Sequence, residues 1–247
     1  MELIRPDWLN LENIEAFTTT RAGGLSLPPY DSLNLGLHSG DDESTVRRNR
    51  QRLQQSVNLA SDPAWLRQTH GIEVCDDFSQ AQEKSFDAAW TDQPGQVLVI
   101  LTADCLPVVF TNRAGSEIAL AHAGWRGLAD GVLRTTVERF SSTPAELSAW
   151  LGPAIGPDHF EVGDEVRQRF LDALPDLDVS SAFVPGKAPG KWYGDLYKLA
   201  TLTLNRLGVQ DVSGGHYCTY ADSQRFFSYR RDGASSGRMA TLCWIKK

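Results

Sequence analysis

Three side chains stand where a reaction centre can be assembled. Cys105 lies in LTADCLPVVF, where an apolar run breaks just before Pro107. His122 ends a second apolar run, EIALAH, and the small loop AGWRG follows it. His70 ends WLRQTH and is followed by Gly71. Two imidazoles and one thiol are the donor set of a tetrahedral zinc site with one position left open, the pattern of catalytic rather than structural zinc. Their wide spacing carries little weight, because ligands on three separate strands obey no fixed interval. The competing reading makes Cys105 a small core residue and the histidines hydrogen-bonded strand ends. Glycine and alanine neighbours leave room for a ligand beside both histidines. Asp104 is a second polar group inside a buried run, where a carboxylate needs a partner, and it joins the candidates as a proton carrier.

These residues need strands to hold them. The stretch 97–127 reads as two buried strands joined by a turn, and WLRQTH as a short strand that Ile72 and Val74 continue through Cys75. Residues 14–20, IEAFTTT, alternate and are β-branched, so they predict a strand. It runs into Arg21-Ala22-Gly23-Gly24, where the backbone can approach a ligand and Arg21 can bind an anion, unless this is a plain turn. Residues 25–42 lack periodicity yet keep Leu25, Leu27, Tyr30, Leu33, Leu35 and Leu37, which predicts a packed loop.

Asp41 or Asp42 can cap a helix through STVRRNRQRLQQSV, with Glu43 in its first turn. Its arginines at 47, 48, 50 and 52 are mostly expected in solvent, and one of them can face a site and pair with phosphate or carboxylate. Residues 76–86 are polar and predict a surface loop. After HAGWRG, Leu128, Val132, Leu133, Thr136 and Phe140 fall on one helical face, so the glycine loop opens onto a helix N-terminus. Thr143-Pro144-Ala145-Glu146 has the form of a capping box. LSAWLG predicts a strand, and helices follow near 163–174 and 195–207, the second closed by Gly208. Short strands are predicted near 209–212, 226–229 and 239–245. Between the last two lies RRDGASSGR, a hairpin-like loop with Arg230, Arg231, Asp232 and Arg238.

The 247 residues show no repeat, no low-complexity block and no dividing linker, so one α/β domain over 1–247 is expected. With 41% hydrophobic and 22% charged residues the composition is that of a globular protein. A net charge of -7 gives no basic footprint for nucleic acid. The longest apolar run, 97–101, is too short to span a membrane. MELIRPDWLN lacks the charged-then-apolar pattern of a secretion signal. Four cysteines (75, 105, 218, 243) without a CxxC predict reduced thiols in the cytoplasm.

The motifs TTRAGGLSLPPYDSLNLG, VRRNRQRL, QTHG, LTADCLPVVF, HAGWRG, LGPAIGP, CTYADSQRFFSYRRD and SGRMA occur in this order. Together they closely resemble the bacterial family of peptidoglycan editing factors and purine nucleoside phosphorylases, also called laccase-domain proteins. The resemblance covers nearly the whole chain. It implies a mixed α/β (α+β) fold of β-sheets flanked by helices, related to the cysteine-hydrolase-like catalytic domain of cytotoxic necrotizing factors. It also implies one site, able to hold zinc, made by His70, Cys105 and His122. The implied activities are phosphorolysis of adenosine, inosine and methylthioadenosine, and deamination of adenosine. Hydrolytic editing of a cell-wall precursor and copper-dependent polyphenol oxidation are further implications.

Five histidines (38, 70, 122, 159, 216) without a His-x-His pair cannot build a multicopper relay, although a single His2Cys site can bind copper. Phosphorolysis needs a phosphate site and a base pocket. Arg21, Arg50, Arg230 and the helix start after HAGWRG are the candidate anion binders, and Ser32, Asn34, Phe227 and Tyr229 the candidate pocket lining. Three readings stay open: zinc chemistry at the His2Cys set, a thiolate nucleophile at Cys105 activated by histidine, and a non-enzymatic metal- or nucleotide-binding module. The expected partner is a small-molecule substrate, with no nucleic acid and no membrane, on a monomer or small homo-oligomer.

Overall fold

Successive residues of a strand point to opposite faces, so a strand buried on both faces reads as an unbroken apolar run. The computed structural model describes residues 1–6, 11–59, 61–81 and 83–247. The first strands are β1 (Leu3–Ile4), β2 (Ile14–Thr19), β3 (Ala64–Trp65), β4 (Val74–Cys75) and β5 (Ala88–Thr91). Next come β6 (Leu98–Thr102), β7 (Leu106–Asn112), β8 (Ile118–Ala123) and β9 (Leu147–Leu151). The last are β10 (Glu161–Gly163), β11 (Phe183–Pro185), β12 (Lys191–Gly194), β13 (Asp211–Gly214) and β14 (Met239–Ile245). The helices are α1 (Glu43–Ser56), α2 (Trp125–Asp130), α3 (Val132–Val137), α4 (Asp164–Ala173), α5 (Leu196–Leu207) and α6 (Tyr229–Asp232).

Three sheets result, in the orders β1-β2-β14-β6-β3, β13-β9-β7-β8-β5-β4 and β10-β12-β11. Leu98, Ile100, Cys243 and Ile245 of the five-stranded sheet share one buried cluster with Ala89, Val109, Ile118, Leu120 and Trp150 of the six-stranded sheet. The two large sheets therefore face each other. On the far side of the five-stranded sheet, Phe17, Val97, Val99, Ala240 and Leu242 meet Leu53 of α1 and Leu33 and Leu35 of the long loop. On the far side of the six-stranded sheet, Val108, Phe110, Ala119 and Ala121 meet Leu128, Leu133, Phe170 and Leu204 from α2 to α5. The architecture is a mixed α+β fold in layers of helix, sheet, sheet and helix.

Local signals set several boundaries. The Asp42 carboxylate accepts from the Thr45 N–H and opens α1, and Asp195 does the same for α5 through Lys198. Gly208, at φ 98°, closes α5 in a left-handed conformation that glycine adopts at little cost. The capping box at Thr143 is present, but it caps a 3-10 turn, Pro144–Glu146. In 76–86 a 3-10 turn, Phe78–Gln80, interrupts the expected loop, and Gln82 lies outside the described residues. Residues 7–10 of MELIRPDWLN also lie outside them.

Elsewhere the fold differs from the sequence-based expectation. The stretch 97–127 holds three strands, because the ADC break is a crossing: β6 lies in the five-stranded sheet and β7 in the six-stranded one. WLRQTH is not one strand; β3 stops at Trp65, and the chain crosses to β4 in the other sheet. The helix after HAGWRG is split into α2 and α3 by Gly131, at φ 103°. No strand forms at 226–229. Phe226 and Phe227 are fully buried on irregular backbone, and Ser228 caps α6 instead. The partners of β14 are β2 and β6, so RRDGASSGR is a helical turn rather than a hairpin loop. No helix among the described residues is long and apolar enough to cross a membrane.

Candidate active site

Two sheet-to-sheet crossings and one strand end meet at the same place. His70 lies on the crossing from β3 to β4, Cys105 on the crossing from β6 to β7, and His122 near the end of β8. The Gln68 side chain fastens the first crossing to β6, donating to Leu101 O at 2.9 Å and accepting from Leu101 N at 2.8 Å. Both crossings contain a non-glycine residue at positive φ, His70 at 62° and Asp104 at 84°. Such backbone is costly and persists only where surrounding contacts over-determine it.

Those contacts are visible. Three successive N–H groups, of Thr69, His70 and Gly71, converge on the Asp87 carboxylate at 3.0, 2.9 and 2.7 Å. Asp104 accepts from Thr219 Oγ1 at 2.6 Å, Ser228 Oγ at 3.0 Å and Arg230 N at 2.6 Å. Its carboxylate thus ties the β6–β7 crossing to the C-terminal segment, which sets the position of Cys105.

His70 Nε2 lies 3.7 Å from Cys105 Sγ. The two imidazoles meet edge to face with centroids 4.8 Å apart. One donor atom from each of His70, Cys105 and His122 falls within 4.8 Å of the others. His122 Nδ1 is 2.7 Å from Asp87 Oδ1, so Nε2 is the nitrogen left free for the cluster. Gly124 gives the cluster its room. A Cβ there would stand 2.7 Å from His70 Cδ2 and 3.0 Å from Cys105 Sγ. His122 is buried, Cys105 half-buried and His70 exposed, so the cluster opens to solvent on the His70 side.

Burial works against charge here, but the neighbours outweigh it. The charge and hydrogen bonding of His122, and then of His70, bring the Cys105 thiol down to about 6. Against the same burial, Cys105 and Asp87 push His122 up to about 9. The bond to His122 and the backbone N–H groups hold Asp87 below the usual carboxylate range despite its burial. Between those limits the metal-free site is a thiolate beside an imidazolium backed by a carboxylate.

The other sequence candidates occupy different surroundings. Arg21 donates to Asp31 O at 2.8 Å, Asp31 Oδ1 at 3.3 Å and Ser223 O at 3.1 Å, and stacks over Phe227. Ser32 Oγ accepts from Gly23 N and Gly24 N, both at 3.0 Å. The fully buried Asn34 joins Gly36 N, Arg238 N, Ser39 Oγ and Asp41 Oδ2. Arg50 donates to Leu35 O at 2.9 Å and lies 3.6 Å over Trp65. Arg230 places its backbone N on Asp104 and its guanidinium on His159 O and Glu161 O. Phe227 is fully buried, whereas Tyr229 is exposed under Arg238.

Two residues escaped sequence reading. Asp87 precedes β5, and its only signal is a carboxylate at the mouth of an apolar strand. Arg238 stood among other arginines in RRDGASSGR. Its burial disfavours the charge, and the negative charges of Cys105 and Asp104 are the first of those that favour it. It donates from Nη1 to Ser236 O and Gly237 O, and its other guanidinium nitrogens make no hydrogen bond among the described residues.

The donor set fits a metal. Zinc takes imidazole and thiolate at about 2.0–2.3 Å, so neighbouring tetrahedral ligands stand roughly 3.5 Å apart, close to the 3.7 Å of the His70–Cys105 pair. It is the one group of three or more His, Cys, Asp and Glu side chains with metal-binding spacing among the described residues.

Several known proteins resemble this chain over nearly its whole length. A family model described as multi-copper polyphenol oxidoreductase laccase matches residues 15–246. Purine nucleoside phosphorylase YfiH of Escherichia coli (strain K12) is 49% identical over 245 residues, 99% of each chain. Purine nucleoside phosphorylase of Haemophilus influenzae is 47% identical over 247 residues, 100% of each. The crystal structure of Neisseria meningitidis protein NMB0706 matches with a TM-score of 0.93 at 45% identity, covering 100% of both chains.

Proposed function

The chain belongs to the multi-copper polyphenol oxidoreductase laccase family, and from that premise, and from relatives named purine nucleoside phosphorylase, we propose that it is an enzyme that phosphorolyses purine nucleosides. Adenosine, inosine and methylthioadenosine are the proposed substrates, with deamination of adenosine as a second reaction of the same centre. The observation that carries the proposal is the convergence of His70, Cys105 and His122 within 4.8 Å at a solvent-facing opening. Zinc is the proposed ion, with copper allowed by the same N and S donors. When bound, it would polarise a substrate atom or water at its open position.

The rest falls to the protein's own side chains. Asp87 holds His122 in one tautomer and one orientation. Asp104, through Thr219, Ser228 and Arg230, keeps Cys105 in register. Arg238, with guanidinium nitrogens to spare, is the proposed phosphate ligand, and Arg230, whose backbone N binds Asp104, the proposed second cation. Phosphate attack forms a C–O bond at the anomeric carbon as the glycosidic C–N bond breaks, the electron pair goes to the base, and the base takes up the proton that phosphate gives up. The free cysteines support the proposed cytoplasmic location.

A second reading rests on its own observation. Cys105, His122 and Asp87 form a thiol–imidazole–carboxylate series, with the thiol at about 6. That is the arrangement of a cysteine nucleophile and supports an amidase acting on a cell-wall precursor without metal. The experiment is turnover of inosine with and without phosphate, in metal-free and zinc-reloaded protein. Phosphate-dependent ribose 1-phosphate that requires reloading supports the first reading. Inosine left intact by both forms would overturn it, and a metal-free protein that cleaves an amide in the precursor would establish the second.

A further inference from the structure

We propose that Cys218 is a second reactive site, open to thiol–disulfide exchange with a low-molecular-weight disulfide. Its sulfur is held by groups outside the His70–Cys105–His122 cluster. Gly156 N and Ala221 N donate to Sγ at 3.2 and 3.4 Å. His159 Nδ1 lies 3.5 Å from the same sulfur. The imidazole is fixed by stacking on Tyr220, with centroids 4.5 Å apart and planes at 25°. Gly156 is needed for this approach, since a Cβ there would come within 3.2 Å of the sulfur.

The thiol also has access. Cys218 is half-buried and lines a surface groove of about 440 Å³ together with His216, Tyr217, Asp222 and Arg225. Arg225 donates from Nε to Asp222 at 2.5 Å, so the two charged residues of the groove pair with each other beside the thiol. Cys75 and Cys243 have neither feature. Both are fully buried, and burial pushes both thiols up, Cys75 to about 11.

The step balances without another reactant. His159 takes the thiol proton, and the Cys218 sulfur attacks one sulfur of the disulfide. A new S–S bond forms as the old one breaks, and the departing thiolate takes the proton from His159. Cys218 ends as a mixed disulfide, and one equivalent of small thiol is released.

Glutathione disulfide is the probe, and peptide mapping by mass spectrometry reads each cysteine separately. The proposal expects Cys218 to exchange about tenfold faster in native than in urea-unfolded protein, through general-base help in a fixed geometry. Cys75 and Cys243 should show the opposite order. His159→Ala and His159→Gln should remove the native advantage at Cys218 while Cys75 and Cys243 stay protected, which shows that the variants are folded. Cys218 exchanging no faster native than unfolded would overturn the proposal, as would folded His159 variants with the wild-type rate. If the variants unfold, exposing Cys75 and Cys243, the native-to-unfolded ratio of the wild type decides alone.

Discussion

Asp87 and Asn34 are both buried polar side chains with every strong partner in place, yet they serve opposite ends. Asn34 and its neighbours spend their polar atoms on the backbone and on one another: Ser32 on Gly23 and Gly24, Asn34 on Gly36 and Arg238, Asn49 on Leu25 and Ser32. Asp87 spends its oxygens on the backbone of 69–71 and on one nitrogen of His122. That leaves the second His122 nitrogen, His70 Nε2 and Cys105 Sγ facing each other with no backbone partner among the described residues. Saturated polar atoms build structure. Atoms left facing one another across a small opening are available to a ligand. The two regions should respond to mutation in opposite currencies, activity at the cluster and stability at the loop.

The largest effect is expected from Cys105→Ala, a fall in turnover of at least about 10³-fold, comparable to the loss of other reacting groups, with little change in thermal stability. An equal loss of stability would erase the contrast. Asp87→Asn comes next. It keeps the shape but changes the partner of His122, and turnover should fall by about 10²-fold, within the range for lost partners of metal or catalytic histidines. The Cys105 thiol should move back up, because the imidazolium that holds it down loses its carboxylate. Alkylation by iodoacetamide across pH would read that movement.

The Asn34→Ala variant should reverse the pattern. It leaves the Gly36 and Arg238 N–H groups without their acceptor in a buried loop, at a cost of about 2–3 kcal/mol. For a chain of this length that lowers the melting temperature by roughly 5–10 °C. A variant that melts like the wild type but loses turnover would place Asn34 in the binding machinery. The arginines sharpen the same divide. Arg238→Ala should raise the phosphate KM about tenfold, whereas Arg21→Ala, whose guanidinium is committed to Asp31 and Ser223, should chiefly lower stability. The reverse result would move the anion site to the loop.

The smallest effect is in pH. Cys105 is lowered, so its contribution to stability is present above the unfolded thiol value, about 8.5, and is lost as pH falls through about 6. His122 is raised, so its contribution is present below the unfolded value, about 6.5, and is lost as pH rises through about 9. Both express one interaction and are counted once. Metal-free protein should therefore show a plateau of stability between about 6.5 and 8.5. A midpoint for Cys105 alkylation near the free thiol value would show that no ion pair forms.

How much could be read beforehand depended on how local the cause was. The cap at Asp42, the stop at Gly208 and the box at Thr143 each involve groups within a few residues, and all three stood in the sequence. Residue chemistry alone picked out His70, Cys105 and His122, since an imidazole or thiol beside small residues in an apolar run is conspicuous wherever the chain goes. The expected strand at 226–229 failed because a short aromatic run reads the same on a buried strand and on buried irregular backbone.

The sequence by itself determined the donor types, the helix ends and the apolar segments that had to be covered, because each follows from side chains and neighbours a few bonds away. Only the tertiary structure decided that 66–73 and 103–105 are crossings between sheets and that both cross at the same end. A run buried on two faces looks identical whichever sheet it enters, and the choice is made by pairing with strands far along the chain, such as β14 beside β6. Asp87 belongs to that second class. Among 31 acidic residues, it is set apart by the three N–H groups and one imidazole that the fold brings to it, and no local pattern could announce them.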